Sequence, residues 1–373
     1  MVQVASALGT NATIRTERAW YSKGTKLVKQ NVSQGNAVRI CVIVPAYEAS
    51  HYLEQSLPPL IALRDGGSVE EVIVVDDCSP NPDTAETAKR FGATVLRAAK
   101  NGGPGAARNL AATKTDCDLL WFVDADVVVH PASVERIPLT FADPAVHAMF
   151  GSYDENPPAP GFASQYKNLM HRYYHTHSNR DATTFWSGCG VVRREAFLAL
   201  NGFDIVQFTK PSIEDIELGY RIRESGGKIA LDPDLLCTHL KEWTLREVVM
   251  TDVVKRAIPW SRLIATRDMP ENNLNVSTPE RIRAGIAGLW AASILLAMIS
   301  ALWPHGAMIF MALTIIMVGA NWRLLSFFTR RKGLPFGLAA LAFHQVYYIY
   351  SAVTFSLVSL RHRPMSRSEV SAS

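Results

Sequence analysis

No Asp, Glu, Lys or Arg occurs between Ala284 and Asn321. At roughly 1.5 Å per residue that gap is too long for a single crossing of a ~30 Å hydrocarbon core, so two spans are expected, divided at Pro304-His305-Gly306. The five cysteines, Cys41, Cys78, Cys117, Cys189 and Cys237, form no CxxC pair. Neither a zinc site nor a disulfide framework is therefore expected, and the usage fits a reducing cytosol. A large charge excess is also missing: the formal net charge is +4, which gives no reason to expect nucleic acid as a partner. Residues 1–38 lack an apolar h-region, so no secretory signal is expected there and the stretch reads as a polar arm. Finally, no GxGxxG follows the first apolar run, Ile40 to Val44, which removes a dinucleotide-binding dehydrogenase from consideration.

What is present from Arg39 onward is alternation. Ile40–Val44, Val72–Val75, Thr94–Leu96 and Leu119–Val123 read as strands. Residues 50–63, 82–91 and 104–114 between them read as helices, with Asn81-Pro82-Asp83 and Gly102 to Gly105 as turns that open two of them. Such alternation predicts an α/β fold with a mostly parallel sheet flanked by helices. Beyond Gly151 the order loosens. Pro157 to Gly161 is expected to be a loop, and Tyr166 to His177 is rich in aromatic residues and histidine. His171 and His175 share a helix face, but no third ligand is placed beside them, so no metal is assigned there.

Polar groups gather where strands end. The run Leu119 to Val123 stops at Asp124-Ala125-Asp126. If that segment stays extended, both carboxylates point the same way and can address one cation. Oxygen-only ligands suit Mg²⁺ or Mn²⁺, ions commonly shared with substrate phosphates. Pro45 to Glu48 ends the first strand and Asp76 to Ser79 the second. Carboxyl ends of neighbouring parallel strands converge, so all three groups are expected to line one crevice. Gly102 to Asn109 adds small residues that allow close approach at a helix start, and Arg108 can pair with phosphate or stack on a base.

In this order and spacing, Val42 to Glu48, Val74 to Ser79, Asn101 to Asn109, Asp124 to Asp126, Phe185 to Gly190, Gly202-Phe203-Asp204 and Glu214-Asp215 resemble the family 2 glycosyltransferases of GT-A fold. The resemblance covers roughly residues 39–262 and implies a nucleotide-sugar donor, a divalent metal and inversion at the anomeric carbon. It places Pro45, Ala46, Tyr47 and Glu48 beside the nucleoside and lets Asp77 accept from the base. It also implies Arg108 beside base and phosphate, Asp124 facing ribose or metal, and Asp126 holding the metal against the diphosphate. Asp215 is implied as the general base with Glu214 in support, and His239 resembles a late histidine that some relatives direct to metal or diphosphate. Lys255 to Trp260 only echoes the Gln-x-x-Arg-Trp motif of polymerising members, which points to single-sugar transfer.

The expected organisation is therefore a polar arm (1–38), a catalytic domain (39–265), a linker (266–283), a membrane region with two or three transmembrane segments (284–363) and a tail (364–373). Arg323, Arg330, Arg331 and Lys332 follow the second span as in a cytoplasmic loop, and a third apolar stretch covers Leu334–Leu360. This describes an integral membrane protein whose catalytic domain faces the cytoplasm. Leu245–Leu263 mixes apolar residues with Arg246, Lys255, Arg256 and Arg262, as does a segment lying along a bilayer or an amphipathic helix packed on the catalytic domain. The expected partners are a UDP-sugar by preference, a lipid-linked or glycan acceptor, and membrane lipids. Two alternatives stand beside this: a polyprenyl-phosphate glycosyltransferase, and a non-catalytic nucleotide-sugar-binding protein.

Overall fold

The computed structural model describes residues 38–266, 274–298 and 305–361. The expected arm before Val38, the centre of the expected linker, the Pro304 break and the expected tail lie outside the described residues. The chain divides into two compact units, the first comprising residues up to Ser152 with Arg180–Lys210 and Glu214–Thr238. Tyr153–Asn179, Pro211–Ile213 and the chain from His239 form the second, so the expected boundary near residue 265 does not separate them.

The first unit begins with strand β1 (Ile40–Ala46), helix α1 (Ser50–Asp65), β2 (Glu71–Asp76), α2 (Asp83–Arg90), β3 (Thr94–Arg97), α3 (Gly103–Ala112) and β4 (Leu119–Val123). β1 and β4 are buried along their whole length, as apolar runs covered on both faces must be. Leu53, Leu57, Leu60 and Leu63 line the buried side of α1 at helical spacing. β3, β2, β1 and β4 pair in parallel in that order. The chain order reverses between β1 and β4, which opens a crevice beyond their carboxyl ends.

The rest of the sheet departs from the expectation of a mostly parallel one. β5 (Val127–Val129), β6 (Val146–Tyr153), β7 (Asp181–Ala182), β8 (Cys189–Arg193) and β9 (Lys228–His239) complete a nine-stranded mixed sheet. β8 runs antiparallel to β4 and to β6, and β7 antiparallel to β9. The β4–β8 register sets Cys189 opposite Val123. The residues just before β8 therefore lie at the same end of the sheet as those just after β4. Helices α4 (Arg136–Thr140), α5 (Phe162–His177, in the second unit), α6 (Arg194–Ala199) and α7 (Glu214–Glu224) follow in the same chain order.

In the second unit, α5 buries Tyr166, Leu169, Met170, Tyr173 and Tyr174 against Leu324, Phe327, Phe328 and Ala340. The stretch from Leu245 is α8 (Leu245–Met250), a π-helical segment (Thr251–Ala257) and α9 (Ile258–Thr266). Asp252 there pairs with the buried Lys167 and accepts from the Tyr350 hydroxyl at 2.9 Å. Further on come α10 (Thr278–Met298), α11 (His305–Ala320), α12 (Trp322–Lys332) and α13 (Leu334–Arg361). Residues 322–332, expected to be a loop, form a helix because Leu324, Leu325, Phe327 and Phe328 supply a buried face opposite the basic residues.

Among the described residues one helix, Thr278–Met298, is long and apolar enough to cross a membrane. His305–Ala320 and Trp322–Lys332 meet the same test only as a pair, bent by 69°. The third apolar stretch is one 28-residue helix, and at its middle His344 and Gln345 are fully buried in protein.

Candidate active site

The crevice is furnished by strand ends. Beyond β1, Tyr47 and Glu48 are exposed while Ala46 is buried. Glu48 and Cys78 take positive φ, 48° and 62°, a conformation that non-glycine residues adopt rarely and mostly where neighbours hold them. The Glu48 N–H donates to Ser79 Oγ at 3.0 Å. Asp76 is fully buried, paired with Arg97, and accepts from the Ser79 N–H at 2.9 Å. It is a structural anchor for the turn after β2.

Asp77, expected to meet a nucleobase, receives the N–H groups of Gly102 (3.0 Å) and Gly103 (2.7 Å), one on each oxygen. Its carboxylate thus satisfies backbone donors at the start of α3. Each oxygen retains a second lone pair, so this role leaves room for a ligand donor. Burial raises its pKa, and the two glycine bonds lower it.

After β4 the chain does not stay extended. The Val127 N–H donates to Asp124 O at 3.0 Å and closes a turn over Asp124-Ala125-Asp126. The two carboxylates therefore share a tight turn and not one face of a strand, so the alternation of an extended segment does not align them. Both are half-buried. Arg108 is 2% exposed, pairs with Asp124 and stacks near Phe122 and Phe203, 5.9 and 5.5 Å from their ring centroids. It faces a carboxylate and two rings from inside the protein, so its observed work is to hold Asp124.

Asp215 stands in the first turn of α7 and is half-buried; Glu214 beside it is buried. Asp215 Oδ2 accepts from the Ser187 N–H (3.1 Å) and hydroxyl (3.3 Å), and Oδ1 from the Ile216 N–H (2.8 Å). The next residue, Gly188, accepts from the Asp124 N–H at 3.1 Å. One dipeptide, Ser187-Gly188, thus ties Asp124 and Asp215 to the same spot. Sequence inspection alone gave Ser187 no role.

His239 closes β9 and belongs to the second unit. Its ring stacks on Tyr153 with centroids 4.6 Å apart and planes within 10°. His171 and His175 sit 3.8 Å apart, ring to ring, with Tyr153 against His171. Burial foremost, then His175 and other basic groups nearby, hold His171 well below the usual histidine range, that is, neutral.

Among the described residues no group of three or more His, Cys, Asp or Glu side chains is arranged to hold a metal ion. Asp124 and Asp126 fit an ion that takes the rest of its shell from a ligand and water, since they offer hard oxygen donors on an accessible turn. They do not fit a closed protein cage.

A mixed sheet whose parallel half ends in this acidic crevice defines an α/β GT-A-like fold. Residues 41–200 match the model of Glycosyl transferase family 2, a stretch that is less than half of the chain. It is 28% identical over 232 residues to the pre-mycofactocin glycosyltransferase of Mycobacterium tuberculosis, covering 56% of this chain and 45% of the relative. It is 33% identical over 98 residues to an uncharacterized glycosyltransferase of Haemophilus influenzae, covering 26% and 33%. The chain thus spans less than half the length of these curated relatives. Among solved structures, the mannosyltransferase PcManGT from Pyrobaculum calidifontis, in complex with GDP-Man and Mn²⁺, aligns over 91% of this chain and 96% of its own. The TM-score is 0.51 at 18% identity, a likeness of fold.

Proposed function

We propose that this chain is a membrane-anchored, inverting glycosyltransferase. It moves one sugar from a nucleoside-diphosphate sugar, UDP-linked by preference, to a hydroxyl of a lipid-linked or membrane-proximal glycan. The observation that carries the reading is the Ser187-Gly188 bridge between Asp124 and Asp215. Inversion needs a proton acceptor on the side of the sugar away from the leaving diphosphate. A carboxylate held by the Ser187 and Ile216 donors, on the rigid first turn of α7, suits that work. Glu214 would steady it. Pro45, Ala46, Tyr47 and Glu48 would border the nucleoside, Asp77 would take a hydrogen bond from the base, and Asp124, oriented by Arg108, would face the ribose or an ion.

Mg²⁺ or Mn²⁺ held by Asp126 and Asp124 would stabilise the charge that builds on the departing diphosphate. The outward-facing apolar side chains of Thr278–Met298, Leu289, Ile294 and Leu295 among them, support the membrane reading. The exposed Leu245, Met250 and Val254, beside Lys255 and Arg256, support contact of that surface with lipid.

The test joins a ligand screen to one variant. UDP-, GDP- and TDP-sugars with Mn²⁺ are ranked by thermal shift, because a native-state ligand raises the melting temperature by mass action. The selected donor is then assayed with Asp215→Asn. Loss of transfer by ~100-fold or more with donor binding intact supports a hydroxyl acceptor and a base at Asp215. Substantial residual transfer favours a phosphate acceptor, and no shift with any donor overturns the reading.

A further inference from the structure

Asn109 follows Arg108 on α3 and has no role in the reading so far. Its carboxamide makes both of its bonds to a single residue far along the chain. Nδ2 donates to the Phe203 carbonyl at 2.8 Å, and Oδ1 accepts from the Phe203 N–H at 2.9 Å. A side-chain amide presents a donor and an acceptor side by side at neutral pH, as this pairing requires. The fit around it is close. Gly202 has φ +65°, and a Cβ there would meet the Asn109 carboxamide, 3.0 Å from its Cγ and nearer still to its Oδ1. Any side chain at 202 would therefore be strained and would also displace the amide.

The same stretch is gripped from α7. Arg221 donates to Leu200 O and, at 2.8 Å, to Gly202 O. Its Nε is held by both oxygens of Glu217 at 2.9 Å. α7 is the helix whose first turn carries Asp215. The turn at 200–203 is thus fixed to α7 by Arg221 and to α3 by Asn109. One position earlier on α3, Arg108 pairs with Asp124 and lies over the Phe203 ring. Consecutive residues of one helix therefore address the carboxylate after β4 and the support of the helix bearing Asp215.

We propose that Asn109 is a positioning residue for sugar transfer, its carboxamide locking the helix that carries the proton acceptor in place against α3. The proposal rests on the assignment of Asp215 as the base. Without the amide, the 200–203 turn is free to slide against α3 and Asp215 loses its fixed distance from the reacting hydroxyl. A displacement on the order of 1 Å far from the chemistry costs roughly 100-fold in rate. The donor-side groups, held by Asp77 and Arg108, stay where they are.

The experiment uses the full chain in detergent, with Asn109→Ala, Asn109→Asp and Asp215→Asn measured in parallel. Transfer is read as label incorporated from the radiolabelled sugar nucleotide selected by thermal shift into a membrane lipid extract. Binding is read as calorimetric Kd for the matching nucleoside diphosphate with Mn²⁺. Asn109→Ala is expected to lower kcat by ~10- to 100-fold while Kd moves by less than about threefold. Asn109→Asp, which keeps the acceptor and loses the donor, is expected to fall between. If Asp215→Asn retains transfer, the base assignment fails, and the proposal with it. If Asp215→Asn is inactive while Asn109→Ala keeps wild-type kcat, or loses affinity in step with kcat, the positioning role alone is overturned. Should Asn109→Ala not fold, Asn109→Asp decides by the same criteria, and failure of both to fold marks a structural residue and overturns the role.

Discussion

Arg108 is the residue whose surroundings say most about what it does. Its side chain is almost wholly enclosed, its guanidinium lies beside two neighbouring phenylalanine rings, and it reaches Asp124. Arg108→Gln removes the charge that orients Asp124 and leaves a poorly filled slot. Asp124 is 37% exposed, so solvent screens much of the lost attraction, and about 1–2 kcal/mol of stability is the expected loss. Chemical denaturation measures it, and an unchanged midpoint would place the guanidinium elsewhere. Asp126→Ala is expected to behave differently. On its half-buried turn it should leave the melting temperature within ~2 °C, while Mn²⁺-dependent donor affinity measured by calorimetry falls at least about tenfold. Retained affinity would remove Asp126 from the metal site.

Asp77 supplies a pH dependence with a definite sign. Its folded pKa is raised, chiefly by burial, so the native chain holds that proton more tightly than the unfolded chain does. The contribution to stability is complete below the ordinary carboxylate value of ~4 and is lost as pH rises through the raised value. Wild type should therefore lose stability relative to Asp77→Asn as pH is raised through that window. Parallel curves for the two proteins would deny Asp77 the shift.

At the scale of elements, α7 is seated by the lack of a side chain. A Cβ on Gly219 would come within 2.8 Å of the Thr184 carbonyl carbon and nearer still to the Phe185 nitrogen, both backbone atoms that cannot step aside. Gly219→Ala is expected to cost ~1–3 kcal/mol by overpacking. It should also depress transfer more than donor binding, because α7 moves with Asp215. Wild-type stability and kcat in this variant would show that the helix has slack.

The elements that sequence alone made plain are those whose local pattern settles their environment. Leu119 to Val123 can only be a strand buried on both faces, and Leu53, Leu57, Leu60 and Leu63 can only be one side of a helix. β8 is different: Cys189–Arg193 carries Gly190 in place of an unbroken apolar run, and its direction is set by the partner it meets, β4. Hence the antiparallel half of the sheet, and with it the role of Ser187, escaped a reading based on alternation. The turn at Asp124 to Asp126 was misjudged for a related reason, since the pattern that announces a buried strand does not say where extension stops. Asp77 is legible in the sequence as a polar residue just after β2. Its engagement with Gly102 and Gly103 depends on where α3 begins in space, which no spacing records.

For the whole molecule the question is what covers the apolar surface of the second unit. Leu289 and Leu295 on Thr278–Met298 are 61% and 66% exposed, and Met308, Met311 and Ile315 on the following helix are equally open. Folding of the unit does not need them, yet water would be a poor neighbour for so many together. His344, in contrast, is enclosed: the Tyr166 hydroxyl lies 2.8 Å from its Nδ1 and the Tyr174 hydroxyl 3.2 Å from its Nε2. The middle of Leu334–Arg361 is therefore clothed by protein, which argues that Thr278–Met298 and its neighbour carry most of any insertion. Replacing both Leu289 and Leu295 by Arg should separate anchoring from folding. Each Arg near the centre of a span costs ~2.5–3.5 kcal/mol on insertion, while an exposed position asks little of the fold. Wild type should stay with membranes through an alkaline carbonate wash, and the double variant should be largely released with its helical circular dichroism preserved. A wild-type chain that washes off freely, or a double variant retained as firmly as wild type, would mean that something other than lipid covers this surface.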